Sequence, residues 1–210
     1  LHLSTAEEVE IIRQHKSINL ITAETTPQHL LLESPDIYDR IGSLGQMNPP
    51  IREKYHQDEL WKGLRDGTIN CIATDHAPHT LEEKNNSYDK APAGMPGIET
   101  SLPLMLNQVT VGRIELTDVV KWMCENVTKI YGIKNKGFIK PGYDADITII
   151  DMNKEKIVKG NQMQSKCGWS AFDNQTLKGW PVTTIVNGNI VYDNEMINTK
   201  FLGKPVLFHE

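Results

Sequence analysis

The sequence has few cysteines, no excess of basic residues and no long apolar segment, and each shortage excludes a class of protein. Its three cysteines, Cys71, Cys124 and Cys167, are far apart. They predict neither a disulfide framework nor a Cys-x-x-Cys metal site, and they fit a reducing cytoplasm. Acidic residues outnumber basic ones by 27 to 22, which argues against nucleic acid as a partner. No apolar run reaches the roughly 18–20 residues that a membrane span needs, so we predict a cytoplasmic protein with no membrane partner.

What is present is an ordinary globular composition. The 210 residues are 39% hydrophobic and 23% charged, which is typical of soluble domains. That length can form one sizeable core, with or without a small second domain. The chain starts at Leu1, without a Met or a signal-peptide pattern, and LHLST reads as the end of a strand followed by the start of a helix. We therefore interpret the sequence as the later part of a longer protein.

Residues 1–133 alternate apolar runs with helical patterns. Apolar runs that end in polar residues predict strands at 18–25 and 68–75. Helices are predicted at 6–15, 56–67, about 101–109 and 116–127. Strand–helix alternation without a hairpin signal indicates βαβ units and a parallel sheet. Two long loops, 26–52 and 76–100, follow the strands at the edge that carries the chemistry in such folds.

Residues 134–210 have a different character. The stretch KGFIKPGYDADITIIDMN contains turn residues and then an alternating strand pattern. Asn187-Gly188 lies between two apolar runs, which is a strong hairpin signal. We predict a small β-domain here.

Three predicted strand ends carry side chains that could bind a metal, namely His2, Glu24 and Asp75. An imidazole and carboxylates that converge at one sheet edge suit a divalent cation such as Zn²⁺, which would acidify bound water and polarise a carbonyl. Plainer interpretations exist, since a lone His is more often a hydrogen-bonded core residue and Asp75 could cap a loop. The clustering before the two longest loops favours a metal-dependent hydrolase site.

The stretch CIATDHAPHT, residues 71–80, places two histidines just after Asp75. His76 and His79 flank a proline and by themselves fit a surface turn. A carboxylate at the strand end could also move a proton to or from a reacting group. The residues alone leave these interpretations open.

Several stretches, in order along the chain, carry a family resemblance. They are LHLST, AETTPQHLLL, MNPPIR, ATDHAPHTLEEK, APAGMPGIETSLPLML, GFIKPGYDADITIID and SKCGWSAFDNQTLKGWPVTTIVNG. Together they resemble the C-terminal portion of dihydroorotases, in the amidohydrolase superfamily. The most specific are DHAPHT with EEK, and NPPIR. The resemblance covers essentially all 210 residues.

The resemblance implies an enzyme that reversibly cyclises N-carbamoyl-L-aspartate to L-dihydroorotate in pyrimidine biosynthesis, with one or two zinc ions. It implies that His2 and Asp75 bind metal and that Asp75 is also the catalytic general acid and base. The implied substrate-binding residues are Asn48, His79, Pro92, Ala93 and Gly94. His76 receives no role and keeps its structural interpretation. Gln28 stands where the family often has a histidine, outside the implied ligand set.

The implied fold class is α/β. Residues 1–133 would be the C-terminal part of a metal-dependent hydrolase (β/α)₈ barrel, about strands six to eight, and residues 134–210 a composite β-sandwich domain. A whole barrel needs roughly 250 residues. The strand-one His-x-His, the strand-four Lys, the strand-five His and an Arg for the substrate carboxylate are therefore expected in an N-terminal half of the same enzyme. The resemblance adds as further partners the small-molecule substrate, a second copy in a homodimer, and aspartate transcarbamoylase.

Two alternatives stay open. A hydantoinase or allantoinase shares the fold and the strand-eight Asp, but is not expected to combine Asn48-Pro49-Pro50 with His79. A non-catalytic dihydroorotase-like subunit that supports aspartate transcarbamoylase would lack the strand-one His-x-His or the strand-four Lys. Neither of those motifs lies within these 210 residues.

Overall fold

The computed structural model, which describes residues 1–16 and 20–209, pairs two short strands in parallel. Strand β1, Glu24–Thr25, lies beside β2, Cys71–Ile72. The extended segment before the first helix joins them, because Leu3 N–H donates to Glu24 O at 2.8 Å and Thr25 Oγ1 donates to Leu3 O at 2.9 Å. The strands predicted at 18–25 and 68–75 are therefore present but shorter, and residues 18 and 19 lie outside the described part of the chain.

Helices follow these extended segments. They are α1 (Ala6–Gln14), α2 (Pro27–Leu31), α3 (Asp36–Ile41), α4 (Lys54–Asp66) and α5 (Leu81–Lys84), with 3₁₀ turns at Gly42–Gly45 and Gly160–Gln162. Thr5 and Glu8 have the three-residue spacing of a capping box, and they form one at the start of α1, with each side chain accepting the other's backbone N–H. Gly67 ends α4 in the left-handed conformation at φ 75°. Val9 is on the buried face of α1, whereas Ile11 is 57% exposed.

The core beneath these elements is formed where α1 and α4 meet. A Cβ on Gly63 would lie 3.0 Å from side-chain atoms of both Val9 and Ile69, so a larger residue there would push these two side chains aside. Trp61 is buried and its indole N–H donates to Leu30 O at 3.0 Å. This packing fixes the frame from which the loops after β1 and β2 leave.

The remaining elements are helices, followed by four β-strands. They are α6 (Ile98–Thr110), α7 (Leu116–Val120), a π turn (Lys121–Glu125), α8 (Asn126–Tyr131), β3 (Ile147–Ile157), β4 (Thr176–Val186), β5 (Asn189–Asp193) and β6 (Met196–Ile197). The four strands form one sheet in the order β3-β4-β5-β6. Asn187 and Gly188, both at positive φ, form the turn between β4 and β5, which confirms the predicted hairpin.

Contacts divide the chain into two compact units. One contains Leu1–Ser101 and Ile157–Gln175, and the other contains Leu102–Lys156 with residues 176–209. The domain division predicted at residue 133 stays a prediction. Within the described ranges, no helix combines the length and apolar character that crossing a bilayer requires.

Candidate functional site

The segment before α1 and the segment after β2 bring His2 and Asp75 together. His2 Nε2 lies 3.6 Å from Asp75 Oδ1, and both side chains are about three-quarters buried, with 22% and 24% exposed. That separation is too long for a hydrogen bond. It slightly exceeds the roughly 3.3–3.4 Å expected between two atoms that bind one zinc ion at about 2.0–2.1 Å with tetrahedral angles.

Both residues of this pair have an unusual backbone. His2 has φ 52° and Asp75 has φ 43°, in the left-handed region that non-glycine residues rarely adopt. Each such residue costs on the order of 1–3 kcal/mol, and strain of this kind concentrates at functional sites. Two strained residues that meet at neighbouring segment ends therefore mark this edge as a candidate site.

Glu24 approaches the same imidazole from its other nitrogen. Glu24 Oε1 lies 2.9 Å from His2 Nδ1, and this buried nitrogen makes no aligned hydrogen bond with any residue in the described ranges. Because the two ring nitrogens of His2 face different carboxylates, Glu24 and Asp75 do not share one side of the ring. The expectation of three converging ligands is thus replaced by a line of carboxylate, imidazole and carboxylate.

The residues present fit a metal ion only as part of a ligand set. Among residues 1–16 and 20–209, no group of three or more His, Cys, Asp or Glu side chains could hold an ion. Catalytic zinc sites usually have three protein ligands. Burial, with the Glu24 charge as a smaller cause, raises the pKa of the Cys71 thiol on β2 to about 11.

The substrate-side residues of the sequence prediction form a second group. Gly94 has φ 140°, and a Cβ there would lie 2.7 Å from Ala77 Cβ and 3.2 Å from His79 Cδ2. The Gly94 backbone therefore lies directly against the turn that carries His79. No side chain other than hydrogen fits between them.

Asn48 lies in the loop before α4, and it is exposed. No hydrogen bond to its side chain is found within the described ranges. Its neighbour Pro49 is fixed, because the His29 ring contacts Pro49 O through Nε2 at 2.9 Å and Thr26 Oγ1 through Nδ1 at 2.8 Å. Burial lowers the pKa of His29, so this histidine is neutral and structural at pH 7.

Two further residues, outside the implied ligand and substrate set, shape the site through backbone contacts. Gln28 Nε2 donates to Thr74 O at 2.9 Å, just before Asp75, so the amide that replaces the family's usual histidine fixes the strand end. His76 Nδ1 accepts from Gly97 N–H at 3.1 Å and from Ile98 N–H at 3.3 Å. This contact agrees with the structural role predicted for His76 and attaches it to the start of α6.

Comparisons with known proteins bear on this geometry. The family model described as "Amidohydrolase family" matches residues 1–191. The chain is 45% identical over 193 residues to a dihydroorotase of Endomicrobium trichonymphae, covering 91% of this chain and 46% of that protein. It is 39% identical over 204 residues to a dihydroorotase of Pyrococcus furiosus, covering 97% of this chain and 46% of that one.

The fold is also similar to that of solved proteins. One is an L-hydantoinase (dihydropyrimidinase) from Arthrobacter aurescens, with a TM-score of 0.89 and 35% identity, over 94% of this chain and 45% of that chain. Another is a dihydropyrimidinase from Brevibacillus agri, with a TM-score of 0.87 and 27% identity, over 93% of this chain and 44% of that chain. The chain thus spans a little less than half the length of the proteins it matches.

Proposed function

Because the chain belongs to the amidohydrolase family, we propose that it is the C-terminal part of a dihydroorotase. The observation that carries the proposal is the meeting of His2 and Asp75 at 3.6 Å. Both are residues that the family resemblance implies as metal ligands, and both have a strained backbone. The curated relatives named dihydroorotase, at up to 45% identity, support the same activity for the complete protein.

The proposed architecture is the last three strands of a (β/α)₈ barrel, in residues 1–133, followed by a composite β-sandwich domain in residues 134–210. The parallel pairing of β1 with β2 supports the barrel part. Exposed apolar side chains on the four-stranded sheet support the composite domain: Ile149, Ile157, Ile190, Met196 and Ile197 are 48–69% exposed. Where exposed apolar residues form a contiguous patch they mark an interaction surface, and in this proposal the N-terminal half of the enzyme covers them.

In this proposal His2, through Nε2, and Asp75 hold zinc, and the N-terminal half supplies the other ligands. A bound zinc ion would polarise the ring amide carbonyl and make water a stronger nucleophile. Asp75 accepts a proton from the attacking water as the new C–O bond forms. It then delivers that proton to the ring nitrogen as the C–N bond breaks. Cyclisation follows the same path in reverse.

Glu24 would act through His2. Ligating histidines usually donate their second ring N–H to a carboxylate, which fixes the tautomer and the ring orientation. Glu24 Oε1, 2.9 Å from His2 Nδ1, would take that role once the ring and the carboxylate are aligned. His79 and Asn48, with the backbone of Pro92–Gly94, would hold the substrate carboxylate and the rest of the ring.

A hydantoinase is the second candidate, favoured by the similarity to the Arthrobacter aurescens enzyme. The two candidates differ in substrate, because dihydroorotate carries a carboxylate on its ring and hydantoin does not. Neutral cyclic amides would make no use of a His79 contact to a carboxylate.

The complete protein that contains this chain provides the test. With zinc bound, we expect it to hydrolyse dihydroorotate much faster than dihydrouracil or hydantoin, and Asp75→Asn should remove that activity. Asp89→Asn, an exposed aspartate in the loop after α5, is the matched control. Turnover of hydantoin or dihydrouracil alone would favour the second candidate. A zinc-loaded protein that hydrolyses none of the three would favour the non-catalytic subunit.

A further inference from the structure

We propose that Lys84, at the end of α5, is a positioning residue that holds the substrate-side loops in one arrangement. The inference rests on the proposed function and extends it to a residue with no assigned role. Lys84 has 0% of its surface exposed, which is unusual for a lysine, a residue type that is almost never fully buried unless paired. Its buried position therefore requires specific partners.

Those partners are backbone carbonyls of two loops. Lys84 Nζ donates to Gln46 O at 2.9 Å and to Pro92 O at 2.9 Å. Gln46 lies two residues before Asn48, and Pro92 is itself a proposed substrate-side residue. The ammonium thus connects the segment that carries Asn48 to the segment Pro92–Gly94.

Gln46 O has a second donor that completes this connection. Gly94 N–H donates to the same oxygen at 3.0 Å. Both lone pairs of the carbonyl are thereby used, one by Lys84 and one by Gly94. The Gly94 backbone, which lies against His79, is therefore held by a contact that Lys84 shares.

Trp169 connects Lys84 to His79 as well. The ammonium lies 5.8 Å from the centroid of the Trp169 ring, within cation–π range. The Trp169 indole N–H in turn donates to His79 O at 2.8 Å. Each proposed substrate-side segment is thus within one or two contacts of a single ammonium group.

A lysine suits this position because its ammonium has three N–H donors arranged in different directions. A side chain of similar volume without donors would fill the space and leave the Pro92 carbonyl without this partner. The contacts of Lys84 described above involve none of His2, Glu24 or Asp75. Its loss should therefore affect substrate binding more than zinc content or the chemical step.

The experiment uses the complete zinc-loaded protein and three variants, Lys84→Met, Lys84→Gln and the control Lys90→Met. Lys90 is an exposed lysine in the loop that follows α5. Its substitution by Met removes the same charge without disturbing a buried contact. For Lys84→Met we expect the KM for dihydroorotate to rise about tenfold or more, the change that loss of a hydrogen bond to a charged group produces. Zinc content should be unchanged and kcat should stay within roughly threefold, while Lys90→Met resembles the unsubstituted protein.

Hydrogen exchange provides a readout that does not depend on activity. The Gly94 amide should exchange faster in Lys84→Met than in the unsubstituted protein or in Lys90→Met. If Lys84→Met does not fold, Lys84→Gln decides, because its side chain is one bond shorter and neutral, so it cannot place charged donors where the ammonium contacts both carbonyls, and KM should still rise. A KM and a Gly94 exchange rate that both stay unchanged would overturn the proposal. An unsubstituted protein without dihydroorotate turnover would instead defeat the proposed function, while the exchange comparison would still test Lys84.

Discussion

The buried ammonium of Lys84 should make the stability of the protein depend on pH in an uncommon range. Burial lowers the pKa of Lys84 from an ordinary 10.5 to about 8. Between these values the unfolded chain keeps the proton and the folded chain has lost it. Stability therefore rises as the pH increases from about 8 to 10.5. The cost of burying the charge is fully present below pH 8.

The size of this effect follows from the pKa difference. Each pKa unit corresponds to about 1.36 kcal/mol, so the change from 10.5 to about 8 amounts to roughly 3 kcal/mol. Between pH 7 and pH 10, the free energy of unfolding of the unsubstituted protein should rise by up to that amount relative to that of Lys84→Met. The neutral amine keeps two N–H donors, so its bonds to Gln46 O and Pro92 O can survive the titration.

Two measurements check this prediction. In protein with ¹³C at the lysine Cε, the resonance that Lys84→Met removes should titrate near pH 8. Urea unfolding at pH 7 and pH 10 should show the stability difference between the unsubstituted protein and Lys84→Met increase. A Lys84 midpoint at or above pH 10, or a difference that does not vary with pH, would refute the reasoning.

Four other predictions concern the proposed site. Asp75→Asn in the complete protein should lower turnover in both directions by about 10²–10⁴ without unfolding it, because it removes the proton acceptor; turnover within a few-fold of the unsubstituted protein would exclude Asp75 from the mechanism. His79→Ala and Asn48→Ala should each raise the KM for dihydroorotate and leave zinc content unchanged, and metal analysis that found zinc lost would mean that a ligand had been mistaken for a substrate contact. Gly94→Ala should raise KM more than either, since its Cβ would lie 2.7 Å from Ala77 Cβ at φ 140°, and a normal KM would show that the turn carrying His79 adapts freely. Residues 1–210 expressed alone should bind zinc poorly, aggregate and hydrolyse no dihydroorotate, because His2 and Asp75 fall short of the three protein ligands usual for catalytic zinc; a soluble, active chain would contradict the proposed ligand set.

Local signals in the sequence were reliable where short-range chemistry decides the structure. Thr5 and Glu8 start α1 as their spacing predicts, and Asn187-Gly188 forms the predicted hairpin turn. Hydrogen bonds between residues that are only a few positions apart in the chain determine such features. Strand lengths were less predictable, since the ladder between β1 and β2 extends only as far as both partners remain side by side.

For the candidate site, too, the sequence predicted some features and not others. His2, Glu24 and Asp75 could be found from their positions at predicted strand ends, because parallel strands bring their carboxyl ends to one edge. Their arrangement could not be found, since only the folded chain places Glu24 against Nδ1 and Asp75 near Nε2 of one ring. The left-handed backbone at His2 and Asp75 likewise has no signal in the sequence.

The sequence by itself determined the family, the parallel frame and the residue types at the strand ends, because these depend on local pattern and on motifs of specific order. Only the tertiary structure decided which residues support them. Lys84 lies 38 residues from Gln46 and 8 from Pro92 in the chain, and Trp169 lies 90 residues from His79. Contacts at such separations depend on packing of the whole unit, in which an ammonium without exposed surface must find carbonyls in place of water.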